Sequence, residues 1–100
     1  MKPLATINHW YIFISDTGHL HLSGIVKGHS RLSDGSSVIT TRIVLFEKEG
    51  DLVIAETRNT RYELLDSDED FNYIVPDFKK KIVAGPVPGY YDFITSDYSE

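Results

Sequence analysis

One polar segment holds the residue types best suited to binding an anion. The sequence GHSRLSDG begins at Gly28 and separates two apolar, β-branched runs. Gly28 and Gly35 allow the backbone to turn tightly and to direct peptide N–H groups at an anion. Arg31 adds a planar fork of donors that matches phosphate or carboxylate, and His29 lies two positions before it. Gly28, His29 and Arg31 are therefore predicted to belong to a ligand-binding surface.

More cationic and polar side chains follow along the chain. Thr40 and Arg42 fall on one face of the next strand, and Arg58, Asn59 and Arg61 lie at a later turn. If the strands pair as consecutive hairpins, some of these side chains meet at one edge of the sheet and complete the surface. The competing interpretation is a hairpin loop whose arginines are solvated or paired with glutamates.

Histidines offer a second kind of chemistry, the binding of zinc. His19 and His21 occupy alternate positions of a strand and point to the same side. A third ligand from His9, His29 or Asp16 would complete a site, so a metal-dependent enzyme is an alternative function. The simpler interpretation is the polar face of an alternating strand, and no metal ligand or cofactor is assigned.

The acidic run DSDED lacks the glycine and glutamate that a calcium-binding EF-hand loop needs at its sixth and twelfth positions. An acidic first turn of a helix explains the same letters. Asp68, Glu69 and Asp70, together with the tail residues Tyr90 and Tyr91, are instead predicted to form a contact surface for a protein partner.

Composition narrows the class of protein. The sequence has no cysteine, no Gly-x-Ser-x-Gly elbow and no Walker phosphate loop, so we expect a protein that is not an enzyme. Cysteine-free composition fits a reducing cytosol, the residues MKPLATINHW lack the apolar core and cleavage site of a signal peptide, and no apolar run reaches the length that crosses a bilayer. We therefore expect a cytoplasmic protein without membrane association.

The net charge of −5 arises after Leu65, where eight carboxylates face three lysines. A basic footprint is thus missing over the whole chain, and nucleic acid is not expected as a partner.

The hydrophobic pattern predicts the elements that position these residues. Five short runs rich in β-branched and aromatic residues are separated by turn residues, and they predict a five-stranded antiparallel meander, forming a curled sheet or a small barrel over residues 10–65. The predicted strands are 10–15, 19–26, 37–47, 52–57 and 60–65. The run at 37–47 carries bulk on both faces and is predicted to be a central strand.

After residue 65 the pattern changes to helical spacing. The apolar positions are Phe71, Ile74, Val75, Phe78 and Ile82. Ser67 is the expected N-cap, Gly85 the expected end, and Pro76 a kink or the start of a second helix. We predict helix over 67–83, packed on an open face of the sheet, and an extended tail over 85–100. The expected class is α+β, mainly β, with residues 1–100 in one domain.

The segment GHSRLSDGSSVITTRIV, followed by TRNTRYEL, resembles a pattern in small bacterial and phage accessory proteins of uncharacterised function. The resemblance spans residues 24–64 and rests on a Gly-His-x-Arg-Leu-x-Asp-Gly loop before a threonine-rich strand. It transfers no activity to any residue. It implies an accessory factor of a phage or mobile element that antagonises host defence by binding.

The favoured hypothesis is thus a non-enzymatic, self-associating binding protein. It either blocks a host protein or sequesters a small anionic, nucleotide-like ligand between the arginine-bearing loops of two subunits, where tyrosines stack on a base. The alternatives are the metal-dependent enzyme and a structural assembly protein whose free strand edges pair between chains.

Overall fold

The computed structural model describes residues 1–88 and shows a mainly β chain with one mixed sheet. The strands are β1 (Leu4–Ile14), β2 (Leu20–Lys27), β3 (Ser37–Arg42), β4 (Leu45–Glu49), β5 (Leu52–Glu56), β6 (Arg61–Leu64) and β7 (Gly85–Pro86). Two short helices, α1 (Glu69–Ile74) and α2 (Phe78–Lys81), lie between β6 and β7. The mainly β prediction is confirmed, but the sheet has seven strands where five were expected.

The sheet departs from a simple meander. Its order is β3-β2-β1-β6-β5-β4-β7, and β1 and β6 run parallel while the other neighbours are antiparallel. Leu4 lies beside Arg61, and Ile7 lies beside Leu64. The all-antiparallel prediction is wrong at this pair because β1 begins at Leu4 rather than at residue 10. Its first half therefore lies between β2 and β6.

A bulge bends β1 where it leaves β6. The register with β2 shifts between Asn8 and Tyr11, and His9 has a φ of 50°. The Asn8 side-chain oxygen accepts hydrogen bonds from the N–H groups of His9 and Asp66, both at 3.1 Å. Bulges of this kind increase the local twist of a strand, which favours a strongly curled sheet.

The predicted strand 37–47 is in fact two strands, because the chain changes partners at Ile43 and Val44. The Ile43 N–H donates to the carbonyl of Leu20, and the Val44 N–H donates to the carbonyl of Glu56, both at 2.8 Å. In a flat sheet of this order β3 and β4 would stand five strand spacings apart, roughly 24 Å. Two linking residues span at most about 11 Å. The sheet therefore curls until the end of β3 lies close to the start of β4.

The hydrophobic core fills the inside of the curl, and the helical segment covers it. Trp10 is 1% exposed, and its ring lies 5.6 Å from that of Phe71 and 5.8 Å from that of Phe78, measured between centroids. Phe78 also contacts Phe46 of β4, edge to face. These contacts confirm that apolar side chains of the helical segment pack on the sheet, although Ile74, which the pattern places on the same side, is 37% exposed.

Helix occurs on both sides of Pro76, within the segment 67–83 that was predicted to be helical. Two details of the prediction are wrong. The N-cap is Asp68 rather than Ser67, because the Asp68 carboxylate accepts hydrogen bonds from two N–H groups of the first turn. Gly85 ends no helix, since it belongs to β7.

The tail predicted to be extended over 85–100 is described only as far as Pro88. Gly85 and Pro86 pair with β4, which confirms an extended conformation there. Residues 89–100, and with them Tyr90 and Tyr91, lie outside the described residues. Within residues 1–88 no helix combines the length and the apolar character needed to cross a membrane.

Candidate functional site

An open groove lies where the curled sheet does not close. Within residues 1–88, β3 has a strand neighbour on one edge only, and the turn between β5 and β6 stands across from its other edge. The gap has a volume of about 320 Å³, and we call it the seam groove. It is lined by Pro3, His29, Ser30, Arg31, Val38, Ile39, Thr40, Thr41, Thr57, Asn59, Thr60 and Tyr62.

Four of the residues predicted to bind a ligand meet in the seam groove. They are His29, Arg31, Thr40 and Asn59. They come from three separate parts of the chain, and it is the curl of the sheet that brings them together. The groove does not include the other four, which are Gly28, Arg42, Arg58 and Arg61.

The tight turn predicted at Arg58 and Asn59 is confirmed. The Thr57 N–H donates to the carbonyl of Thr60 at 2.9 Å, and the Thr57 hydroxyl donates to the same carbonyl at 3.0 Å. Across the gap, the Arg58 N–H donates to the hydroxyl of Thr41 in β3 at 3.3 Å. The Thr41 side chain thus connects β3 to the turn between β5 and β6 at one end of the groove. The nearest backbone hydrogen bond between the two sides is the one from Val44 to Glu56.

His29 fixes the loop that carries Arg31. Its Nδ1 atom accepts hydrogen bonds from the N–H groups of Arg31 and Leu32, at 2.9 and 3.2 Å. Because Nδ1 is an acceptor, the neutral ring carries its proton on Nε2. The Nε2 atom therefore donates to the Tyr62 hydroxyl, 3.3 Å away. His29 links the loop to the floor of the groove and acts as a positioning residue.

Tyr62 is the buried floor of the groove, with 3% of its surface exposed. Burial raises the pKa of its hydroxyl above the ordinary value, and the side-chain hydrogen bond with Thr60 offsets part of this rise. The hydroxyl thus stays protonated at neutral pH.

The loop backbone does not form the anion cradle that the sequence suggests. Gly28 and Gly35 have positive φ angles of 73° and 90°, as their turns require. Their N–H groups are nevertheless used within the loop and strand, since Gly28 donates to the Asp34 carboxylate and Gly35 to the carbonyl of Val26, both at 2.8 Å. The expectation that these amides face an anion is therefore wrong.

Arg31 gives the groove its charge. Its side chain is exposed, and it has no ion pair with any described residue. Within residues 1–88 the lining contains no aspartate or glutamate, and the lining groups other than Arg31 are hydroxyl, amide, imidazole and apolar groups. Arg58 is also exposed, on the turn that forms the opposite wall.

Two predicted arginines point to other partners. Arg42 donates from Nη1 to the Nε2 atom of His19 at 3.2 Å. Arg61 forms a two-point ion pair with Glu47, at 3.2 Å from Nε and 3.0 Å from Nη2. The hydrogen bonds to Glu47 raise the pKa of Arg61 above its ordinary value, against the opposing effect of desolvation. Arg61 therefore ties β6 to β4 and does not serve the groove.

The histidines of the zinc hypothesis are not gathered at one point. His19 lies 2.9 Å from the Thr17 hydroxyl, and His21 contacts the carbonyl of Thr40 and stacks on Phe13. His29 is in the seam groove. Over residues 1–88, no three histidine or carboxylate side chains are grouped closely enough to hold a metal ion.

The three acidic residues predicted to contact a partner, Asp68, Glu69 and Asp70, differ in what they do in the structure. Asp68 is occupied as a helix cap, accepting from the N–H groups of Asp70 at 2.9 Å and Phe71 at 3.2 Å. Glu69 and Asp70 are exposed, so their carboxylates are accessible to a partner. Their role in binding stays a prediction.

Sequence reasoning missed several groove residues, above all Ile39, Thr41, Thr57, Thr60 and Tyr62. A signal was available for two of them, because Thr57 and Thr60 flank the predicted turn. The others come near Arg31 only through the closure of the curl, which no local pattern shows.

A second, larger cavity of about 540 Å³ lies between α2 and the β4–β5 turn. It includes no predicted ligand-binding residue. Its charged lining residues are Lys48, Lys79, Lys80, Asp51, Asp66 and Asp77, which balance in sign. It therefore favours neither anions nor cations.

Compared with known proteins, the sequence matches no protein-family model and no curated protein at a significant level.

Proposed function

We propose that the chain is a non-enzymatic binding protein that holds an anionic group of its ligand in the seam groove. One observation carries this proposal. Among residues 1–88 the groove is lined by an arginine without an ion-pair partner and by no carboxylate, although the chain has a net charge of −5. Its volume of about 320 Å³ lies at the lower end of the range of small-ligand sites, roughly 300–1,000 Å³.

The binding chemistry follows from the lining. Arg31 supplies charge-assisted donors to phosphate or carboxylate. Asn59 and the threonine hydroxyls supply neutral donors on the other wall. His29 holds the loop backbone at Arg31 through two hydrogen bonds, so the loop is ordered before the ligand arrives. A preformed site loses less conformational entropy on binding.

The biological context is proposed from the sequence resemblance. Within it, the chain is an accessory factor of a phage or mobile element that opposes host defence by binding a host protein or a small anionic, nucleotide-like ligand. Self-association belongs to the same proposal. The metal-dependent enzyme has no specific observation in its favour, and the structural assembly protein would use the open edge of β3 for pairing between chains.

Isothermal titration calorimetry tests the proposal with a panel of anionic probes. The panel contains inorganic phosphate, the four nucleoside monophosphates AMP, GMP, CMP and UMP, and a library of blocked pentapeptides with a central glutamate. For any probe that binds, Arg31→Ala should weaken binding by about 10- to 100-fold, because a hydrogen bond to a charged group contributes roughly 1.5–3 kcal/mol.

Arg42→Ala is the matched control, since Arg42 is exposed but lies outside the groove lining. It should leave the dissociation constant within about twofold, consistent with the small effect of distant surface changes. Failure of every probe to bind, or equal weakening by the two substitutions, would contradict the proposal.

A further inference from the structure

The hydrogen-bond pattern of β3 shows which of its backbone groups point away from β2. The Val26 N–H donates to the carbonyl of Ser36 at 2.9 Å and its carbonyl accepts from the Gly35 N–H at 2.8 Å, so Val26 occupies a hydrogen-bonded position of the ladder. Bonded and non-bonded pairs alternate along an antiparallel ladder. Ser37 and Ile39, which lie opposite Ile25 and Ser23, therefore occupy non-bonded positions. Their N–H and C=O groups point away from β2, toward the open edge of the sheet.

That open edge is one wall of the seam groove. Four consecutive residues of β3, from Val38 to Thr41, line the groove, and no described strand pairs with them on this side. Ile39 is 70% exposed, so its apolar side chain is accessible beside this edge. The groove therefore offers a backbone donor and acceptor at Ile39 together with an exposed apolar side chain.

An extended peptide satisfies all of these groups at once. Its own N–H and C=O groups alternate with the spacing of the strand edge, and strand addition of this kind is a common mode of peptide recognition. An apolar residue on the added strand can pack on Ile39 as a cross-strand neighbour. A nucleotide can satisfy Arg31, but it carries no alternating backbone row for β3.

The positive charge of Arg31 favours acidic peptides over basic ones. Arg31 lines the same groove, it has no carboxylate partner among the described residues 1–88, and the other lining residues of that range are neutral. A lysine or arginine on the peptide would be placed near a like charge, whereas an aspartate or glutamate would form a charge-assisted pair.

Building on the proposed function, we infer that the ligand is an extended, acidic segment of a partner protein, which adds to β3 as a further strand inside the seam groove. The peptide backbone bonds to Ile39, and an acidic side chain of the peptide pairs with Arg31.

The experiment selects binders to the full chain from the library Ac-Xaa-Xaa-Glu-Xaa-Xaa-NH2 and measures the affinity of the best peptide. Two substitutions at one position separate backbone from side-chain effects. Ile39→Pro removes the N–H that faces the groove and is compatible with an edge strand, whereas Ile39→Thr keeps that N–H. We expect Ile39→Pro to weaken binding at least about tenfold relative to Ile39→Thr.

A second measurement does not depend on the folding of the proline variant. The selected peptide is resynthesised with N-methyl groups at alternate residues, in both phases, and is titrated against the unmodified chain. One phase should lose at least about tenfold in affinity and the other should bind nearly as before, because only alternate N–H groups of an added strand bond to β3.

Three results would overturn the inference: a library without binders, equal affinities for the two Ile39 variants, or equal effects of the two methylation phases. If phosphate or a nucleotide still binds through Arg31 while no peptide does, the peptide inference fails and the proposed function stands. If no probe of any class binds, both fail.

Discussion

The substitution Gly24→Ala tests the close packing that lets the sheet curl. Gly24 lies in β2 against the bulged part of β1. A Cβ atom placed on it would stand 2.8 Å from Cγ1 of Ile7 and 2.9 Å from the backbone oxygen of Asn8. The Ile7 side chain is fully buried, and the Asn8 oxygen belongs to the backbone, so neither can move away without disturbing the core or the bulge.

The expected effect is a balance of two terms. Replacing glycine by alanine at a tolerant position stabilises a protein by about 0.4–1 kcal/mol, chiefly through the unfolded state. Inserting a methyl group into a filled site costs about 1–3 kcal/mol. At Gly24 the steric term is the larger, so the free energy of unfolding should fall by roughly 1–2 kcal/mol. For a domain of this size that lowers the Tm by roughly 4–16 °C.

Thermal and urea unfolding, followed by circular dichroism, measure the change. Lys27→Ala is the control, since Lys27 is an exposed residue of the same strand, and its effect should stay within about 0.5 kcal/mol. A Gly24→Ala protein as stable as the original, or more stable, would refute the reasoning, because the steric term would then be smaller than the entropic one.

Two further predictions concern the helix cap and the buried tyrosine. Asp68→Ala should lower the free energy of unfolding by about 0.5–2 kcal/mol in urea, while Glu69→Ala, at an exposed neighbouring position, should not; equal losses would remove the capping argument. The raised pKa of Tyr62 means that the folded chain binds this proton more tightly than the unfolded chain. Its contribution to stability is therefore fully present below about pH 10 and is lost as the pH rises through the folded pKa. The Tm difference between the original chain and Tyr62→Phe should change sharply only above about pH 10, and a change centred at neutral pH would contradict the assignment.

Local structure was largely readable from the sequence. The turn at Arg58 and Asn59 follows from two polar residues between two apolar, alternating runs, and the structure has a tight turn there. The break at Pro76 follows from its missing N–H, and helix lies on both sides of it. These features depend only on neighbouring residues, which is why a single sequence shows them.

The choice of strand partners was not readable. The apolar pattern of the run 37–47 continues through Ile43 and Val44 although its two halves have different partners, since β3 pairs with β2 and β4 pairs with β5. The bulk on both faces does not make the first half a central strand, because β3 has a strand neighbour on one edge only within residues 1–88. The parallel pairing of β1 with β6 joins residues far apart in sequence. An alternating pattern records which side chains are buried and says nothing about the strand that buries them.

The candidate site was predictable only where it depends on residue type and on neighbours in the sequence. Arg31 and His29 stand out by type and position in one loop, and Asn59 by its turn. The hydrogen bond from Gly28 to Asp34, which removes an expected anion donor, depends on the folded path of the loop. The ion pair between Arg61 and Glu47 depends on the register of β6 and β4, which lie on either side of β5.

The most direct test of the seam groove as the binding site is amide chemical-shift mapping of the labelled full chain during titration with the tightest probe. The largest shifts should fall on residues 29–31, 38–41 and 57–60, and Arg31→Ala should raise the probe concentration that saturates them by about 10- to 100-fold. Shifts concentrated instead on the acidic residues 69–70, or around the cavity beside α2, would contradict the account and place the binding surface elsewhere.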